Sequence, residues 1–337
     1  MDKTANTRLT PLLEKFGGCT MSSTMQAEEP VEASDEAFGI GWWNTSLALN
    51  GGNRVPTDSD RGIAASIFIS LVERGCYLIA LCEVSEFEVG KIKELLGPEV
   101  LAVYEFTEAG VPAGKGRYDT CVAYRKDFVS VVSRTELNAS LGGQKFRAAQ
   151  YFLLDICAEG VPLHLFLSHW PSRMHMPSDS STRILLGSEI HRKFEEIRGL
   201  DIDPQVVMLG DYNDEPFDRS ISESLLATRD RDLALNKEHL LYNPFWRHMS
   251  FYEHGGEDGV YDRGTYYYKS GVNNRWYTFD QMMFSKALMV GSRRWMLSEA
   301  DCRVVKDSDL LKLVVSNKNK FDHLPIISKL VRSDSHG

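Results

Sequence analysis

Four short stretches of this 337-residue chain close an apolar run on groups that packing alone does not require. Residues 76–82, Cys-Tyr-Leu-Ile-Ala-Leu-Cys, are followed at once by Glu83. Such a run reads as a strand buried on both faces. A carboxylate at its end emerges at the mouth of a sheet, where hard divalent cations are commonly held. Residues 206–209 lead into Gly210-Asp211-Tyr212-Asn213-Asp214, which places a carboxylate and a carboxamide two positions apart on one side of a tight turn. Asp can take a proton from water or bind metal, and Asn can donate to a phosphate oxygen without adding charge. In Phe321-Asp322-His323-Leu324-Pro325 the adjacent Asp and His point to opposite faces of extended backbone, and Pro325 disfavours a helix. The run 165–168 ends on His169, with Trp170 beside it and Arg173 four residues on. Each has a plain alternative taken singly: Glu83 suits a helix first turn, the Asx-rich turn can be only a turn, and a lone His is more often structural. Four such endings together outweigh those readings.

The elements that must position these groups can be read from hydrophobic periodicity. Strands are expected at 76–82, 120–124, 151–157, 163–168, 206–209 and 278–284, and helices at 61–73 behind the caps Asp58 and Ser59, 86–96, 182–197 and 220–227. The first part reads strand–helix–strand, whereas 120–168 reads as consecutive strands. That mixed order predicts an α+β fold, a four-layer α/β/β/α sandwich of two mixed sheets packed face to face with helices outside. No Pro/Gly/Ser-rich linker divides the chain after residue 38, so a single catalytic domain is expected over 38–332, behind a disordered leader at 1–37 and before a short tail at 333–337.

Composition narrows the class. With 43% hydrophobic and 25% charged residues the chain is of ordinary globular type. Its net charge of −9 argues against nonspecific coating of nucleic acid or anionic membrane. The leader holds three basic and seven acidic residues, so it carries −4 of that total. No run of about 18 apolar residues and no apolar secretory segment is present, which predicts no membrane association. The six cysteines are dispersed without a CxxC pair, as expected of reduced, packed thiols in a cytoplasmic protein.

The ordered blocks Gly41-Trp42-Trp43-Asn44, Leu81-Cys82-Glu83-Val84, Ser168-His169, Gly210-Asp211-Tyr212-Asn213, Thr278-Phe279-Asp280-Gln281 and Phe321-Asp322-His323 resemble the endonuclease/exonuclease/phosphatase superfamily over residues 41–330. The resemblance implies a Mg²⁺-dependent phosphoester hydrolase, with Mn²⁺ able to substitute. It implies metal binding by Glu83, Asn44 and Asp322, and activation of water by Asp211. It further implies phosphate contact by Asn213 and His323, an Asp280 that polarises His323, and a proton-donating His169 oriented by Asp119. Three positions depart from the family pattern: Cys82 stands where Gln is common, Gln281 where Tyr is common and Phe321 where Ser is common.

The substrate is less constrained. The segment 240–295 interleaves aromatics with bases and is locally basic, with seven cations against five acids. Such interleaving can stack bases while cations meet phosphates, although cross-strand packing would explain many of the rings. The substrate-contacting candidates are Arg147, Arg173, Trp170, Arg275 and Trp276. A nuclease acting on DNA or RNA is favoured. A phosphatase or phosphodiesterase of a small phosphorylated metabolite or lipid head group is the alternative, and a noncatalytic module retaining the fold is the third reading. No obligate protein partner is evident.

Overall fold

The computed structural model describes residues 36–48, 55–108, 112–113, 116–117, 120–157, 160–249 and 264–333. The leader expected at 1–37 lies outside these except for its last two residues, and Ala37 already opens the first strand. Of the expected tail only Ser333 is described.

In chain order the elements are β1 (Ala37–Asn44), α1 (Asp58–Glu73), β2 (Cys76–Cys82), α2 (Glu86–Leu95), α3 (Pro98–Val103), β3 (Tyr104–Phe106), the two-residue strands β4 (Pro112–Ala113) and β5 (Gly116–Arg117), and β6 (Cys121–Arg125). They continue with β7 (Val129–Leu141), β8 (Gln144–Ile156), β9 (Pro162–His169), α4 (Ser181–Leu200), β10 (Gln205–Asp211), β11 (Ala227–Thr228), α5 (Arg231–Asn236) and β12 (Leu241–Tyr242). The last are β13 (Tyr266–Tyr267), β14 (Trp276–Tyr277), β15 (Asp280–Phe284), α6 (Lys286–Val290), β16 (Trp295–Val304), α7 (Ser308–Val315) and β17 (Ile326–Arg332). One sheet runs β16-β17-β1-β2-β6-β3 and the other β11-β12-β15-β10-β9-β8-β7. Each is mixed: β1 pairs parallel with β2, and β9 with β10, among antiparallel neighbours.

Alternation along the strands assigns each residue to a layer. In β2, Leu78, Ala80 and Cys82 join the core between the sheets, whereas Cys76, Ile79 and Leu81 pack under α1 and α2. In β10, Val207 and Leu209 face the other sheet, while Val206 and Met208 meet Leu186, Ile190 and Phe194 of α4. Both strands therefore need apolar residues on both faces, which explains their unbroken hydrophobic runs. The result is the α/β/β/α layering expected from the order of elements. Five described cysteines, Cys76, Cys82, Cys121, Cys157 and Cys302, are free thiols, four of them buried.

Helix starts correct the sequence reading in detail. The cap of α1 is Thr57, not Asp58 or Ser59: its hydroxyl accepts from the Asp60 amide while the Asp60 carboxylate takes the Thr57 amide. The helix expected at 220–227 is a single π-helical turn, Ser220–Ser224. Among the described residues no helix is long and apolar enough to cross a membrane.

Candidate active site at the strand ends

The parallel pairs β1–β2 and β9–β10 end in register, Asn44 beside Cys82 and Asp211 beside His169. The antiparallel neighbour of β10 begins at the same level, Asp280 opposite Asp211. Asn44, His169, Asp211 and Asp280 each continue the face that lines the core between the sheets, because Trp42, Leu167, Leu209 and Met282, two residues away along each strand, belong to that core. The period of two thus delivers all four side chains to one end of the inter-sheet layer. Gly210 is needed for this approach: a Cβ there would lie 2.0 Å from the Ser168 carbonyl oxygen of β9.

Backbone turns bring in the rest. Glu83 follows β2 with φ of 50°, Asn213 follows β10 with φ of 50°, and Ser46 follows β1 with φ of 51°. Left-handed backbone is uncommon outside glycine and costs on the order of 1–3 kcal/mol where the side chain gains nothing locally. Three of the five such residues described lie at this site. Here the turns are fixed by side-chain contacts. The Asn213 amide donates to Asp211 Oδ1 at 2.9 Å, and the Asn213 carboxamide donates to the Trp170 carbonyl at 2.9 Å. The Asn44 carboxamide nitrogen donates to Glu83 Oε1 at 3.0 Å and to Asp211 Oδ2 at 3.1 Å, while its oxygen accepts from the Ser46 amide. The Ser46 hydroxyl donates to Asp322 Oδ1 at 2.7 Å. Asn44 thus turns its nitrogen toward the carboxylates and bridges Glu83 and Asp211.

His323 is buried beside Asp280, with Nδ1 2.7 Å from Oδ2, and its Nε2 lies 3.7 Å from Asp211 Oδ2. The second oxygen of Asp280 accepts from the Trp42 indole at 2.8 Å. Burial alone would favour neutral imidazole, but the carboxylates of Asp280, Asp211 and Asp322 outweigh it and hold His323 up at about 10, protonated at neutral pH. Its ring also lies 4.6 Å from that of Tyr266, a favourable place for a cation. Asp211 is raised from the ordinary carboxylate range by burial, with His323 opposing that shift. Glu83 is likewise raised by burial; His169 opposes this, and the negative charge of Asp322 adds to it. His169 Nε2 stands 3.6 Å from Glu83 Oε1. Two carboxylates, Glu83 and Asp322, therefore repel one another in a partly dry site, the condition a hard divalent cation relieves. Asp211, Asp280 and His323 also converge, with ligand atoms within 4.8 Å of one another. Within that trio His323 Nδ1 is paired with Asp280 at 2.7 Å and Nε2 faces Asp211 at 3.7 Å.

The structure brings together Asn44, Glu83, His169, Asp211, Asn213, Asp280, Asp322 and His323. Asp119 lies outside the described residues. Trp170 is not a substrate contact: it is fully buried, donates its indole N–H to the Ala148 carbonyl and packs edge-on to Tyr212 at 5.1 Å. Arg173 is engaged with Asp218 and with the Asn213 carbonyl, and its guanidinium lies 4.7 Å over the Phe279 ring. Arg275 donates to the Gly271 carbonyl and the Tyr267 hydroxyl within the β13–β14 hairpin, and Trp276 packs on Tyr267 at 4.9 Å, a cross-strand pair. Arg147 is half-buried near the start of β8. Trp42, Ser46 and Tyr266 were not anticipated as site residues. Only Trp42 carried a signal, its place two residues before Asn44 on the same strand face.

A family model described as "Endonuclease/Exonuclease/phosphatase family" matches residues 62–326. No curated protein sequence matches the chain significantly. Among solved structures, the human Nocturnin catalytic domain with bound sulfate anion is 14% identical, with a TM-score of 0.58 over 88% of this chain and 95% of its own. Truncated Caenorhabditis elegans TDP2 is 16% identical, with a TM-score of 0.53 over 88% of this chain and 98% of its own. The Bacteroides thetaiotaomicron mannosyl-6-phosphatase Bt3783 is 16% identical, with a TM-score of 0.53 over 87% of this chain and 99% of its own. At these identities the likeness shows the shared fold. The family match spans most of the chain and takes in five of the six sequence blocks, and the sixth, Asn44, meets them in space: the chain belongs to the endonuclease/exonuclease/phosphatase family, whose members hydrolyse phosphoester bonds.

Proposed function

We propose that this protein is a Mg²⁺-dependent phosphodiester hydrolase that cleaves nucleic acid strands. The observation that carries the chemistry is the geometry of His323, held by Asp280 at Nδ1 and aimed through Nε2 at Asp211, beside the Asn44-bridged Glu83. A divalent cation held by Glu83 and Asp322, Mg²⁺ or Mn²⁺ in its place, would supply positive charge against the phosphoester oxygens. Asp211 orients the attacking water and accepts its proton, its raised pKa suiting a base. Asn213 uses one N–H on the Trp170 carbonyl and keeps the second for a phosphate oxygen. His323 presents Nε2–H to the charge that develops on phosphate, fixed in advance by Asp280. His169 stands across the site as a donor to the departing oxygen.

A nucleic acid substrate is supported by the half-buried rings of Tyr266 and Tyr277, which flank the buried Phe279 at 5.3 and 5.0 Å beside His323 and could offer their outer edges to a base. A second reading, a small phosphorylated metabolite, is favoured by one observation: Arg173, which should track a polymer backbone, spends its guanidinium on Asp218 and the Asn213 carbonyl, while Arg275 is exposed but bonded within its own hairpin. The free thiols suit a reducing compartment and support a cytoplasmic site of action. Purified protein assayed with Mg²⁺ on single- and double-stranded DNA, RNA and sugar phosphates decides between them. Polynucleotide cleavage that disappears with chelator is expected; release of phosphate from monoesters without strand cleavage overturns the nuclease reading.

A further inference from the structure

We propose that Arg183, outside the reacting set, is a positioning residue that clips together the two strand ends carrying His169 and Asp211; its kinetic consequence rests on the phosphoesterase reading. Arg183 lies in the first turn of α4, three residues after the cap Ser180, and is fully buried. Neither fact favours a cation. The helix N-terminus already bears partial positive charge, and a buried guanidinium must be fully hydrogen-bonded to persist. Helix propensity and packing would both accept an apolar residue here.

What the guanidinium does is join two loops. Its Nε donates to the carbonyls of Met176 at 2.9 Å and Pro177 at 3.2 Å, and Nη2 to that of Pro171 at 2.6 Å, all in the loop that leaves β9 after His169. Its Nη1 donates to the Tyr212 carbonyl at 3.0 Å, between Asp211 and Asn213. Asp214, also fully buried, sits 3.5 Å from Nη1 and accepts from the Ser220 hydroxyl. The planar fork of Arg spans both loops at once, which a Lys ammonium cannot do. The loops are already joined directly, Trp170 amide to Asp211 carbonyl at 2.9 Å and Asn213 carboxamide to Trp170 carbonyl at 2.9 Å. Arg183 fixes the spacing across which those two bonds form, and so the separation of His169 from Asp211 and Asn213.

Two variants separate positioning from stability. Arg183→Lys keeps the charge and loses the fork. The double variant Arg183→Met with Asp214→Leu removes both buried charges at similar volume but leaves the four carbonyls without their donor, so its kinetics are compared only where it is fully folded. Arg192→Met, on the exposed face of the same helix, is the control. In both Arg183 variants the account expects kcat to fall about 100-fold with KM within about 3-fold, because small misplacements of groups acting in the transition state have effects of that size. It also expects hydrogen exchange at the Trp170 amide to quicken about tenfold in the folded variants, while amides at the far end of α4 exchange as in the parent. Parent-like kcat and parent-like Trp170 exchange in folded Arg183→Lys overturn the proposal, as does a loss of kcat matched by an equal loss of folded protein. If the parent hydrolyses no phosphoester, the phosphoesterase reading fails, and Trp170 exchange alone still decides the clip.

Discussion

Asp280 shows how closely each residue of the site is specified. Both of its oxygens are taken, one by the Trp42 indole at 2.8 Å and the other by His323 at 2.7 Å. Asp280→Asn can keep the Trp42 bond through its oxygen, but it removes the carboxylate that holds a proton on His323 Nδ1 and lets the ring take the other tautomer. Steady-state kinetics should show kcat lower by about 10²–10⁴-fold. Asn213→Ala removes a single donor to phosphate and should lower kcat about 10²–10³-fold with little change in KM. Trp42→Phe leaves a buried carboxylate oxygen unmet and should destabilise the fold by about 1–3 kcal/mol in denaturant titration. The reacting residues themselves were legible in the sequence because each ends an apolar run with a group that packing does not ask for. Their supports were not. Trp42 and Asp280 are separated by 238 positions, and Ser46 and Asp322 by 276, so no local pattern encodes the pairing. Trp170 misled for a different reason: its neighbour His169 faces the site, so alternation along the chain turns Trp170 to the opposite face, under α4.

At the scale of elements, continuous apolar runs were read with their true bounds where both faces are buried, as in β2, observed at Cys76–Cys82 as expected. The cap of α1 was misplaced because Thr57, Asp58 and Ser59 are all competent caps, and only the reciprocal bond with Asp60 chooses among them. The 13-residue length of β8 was missed since its first part, Gln144-Lys145-Phe146-Arg147, sets a single ring among polar residues and lacks the continuous apolar run of residues 151–154. Strand β9 carries a testable consequence. His164 is buried with Nδ1 2.7 Å from the Tyr151 hydroxyl, and burial pushes its pKa down to about 4 from an ordinary 6.5. The unfolded chain therefore binds the proton first. Stability is complete above about pH 6.5 and declines as pH falls toward 4, by an amount on the order of 3 kcal/mol. His164→Gln, which keeps a polar partner for Tyr151, should flatten the stability–pH profile between those limits; an unchanged slope would show that other groups dominate it.

Over the whole molecule, the net charge of −9 argued against a polyanion as partner. Part of it resolves into Glu83, Asp211, Asp280 and Asp322, gathered at one end of the sandwich, where the sign favours a cation. Binding that relieves this repulsion only in the folded state must raise stability with cation concentration. At about 100 times Kd the gain is about 2.7 kcal/mol, which for a chain of this size should raise Tm by a few degrees in a calorimetric titration with Mg²⁺. The most direct test of the account joins that cation to the chemistry: phosphodiester hydrolysis by the parent and by Glu83→Ala, each measured across a Mg²⁺ titration. The account predicts Mg²⁺-dependent turnover in the parent and its loss in a folded Glu83→Ala whose Tm no longer responds to Mg²⁺. Hydrolysis that persists in Glu83→Ala with an unchanged Mg²⁺ dependence would contradict it.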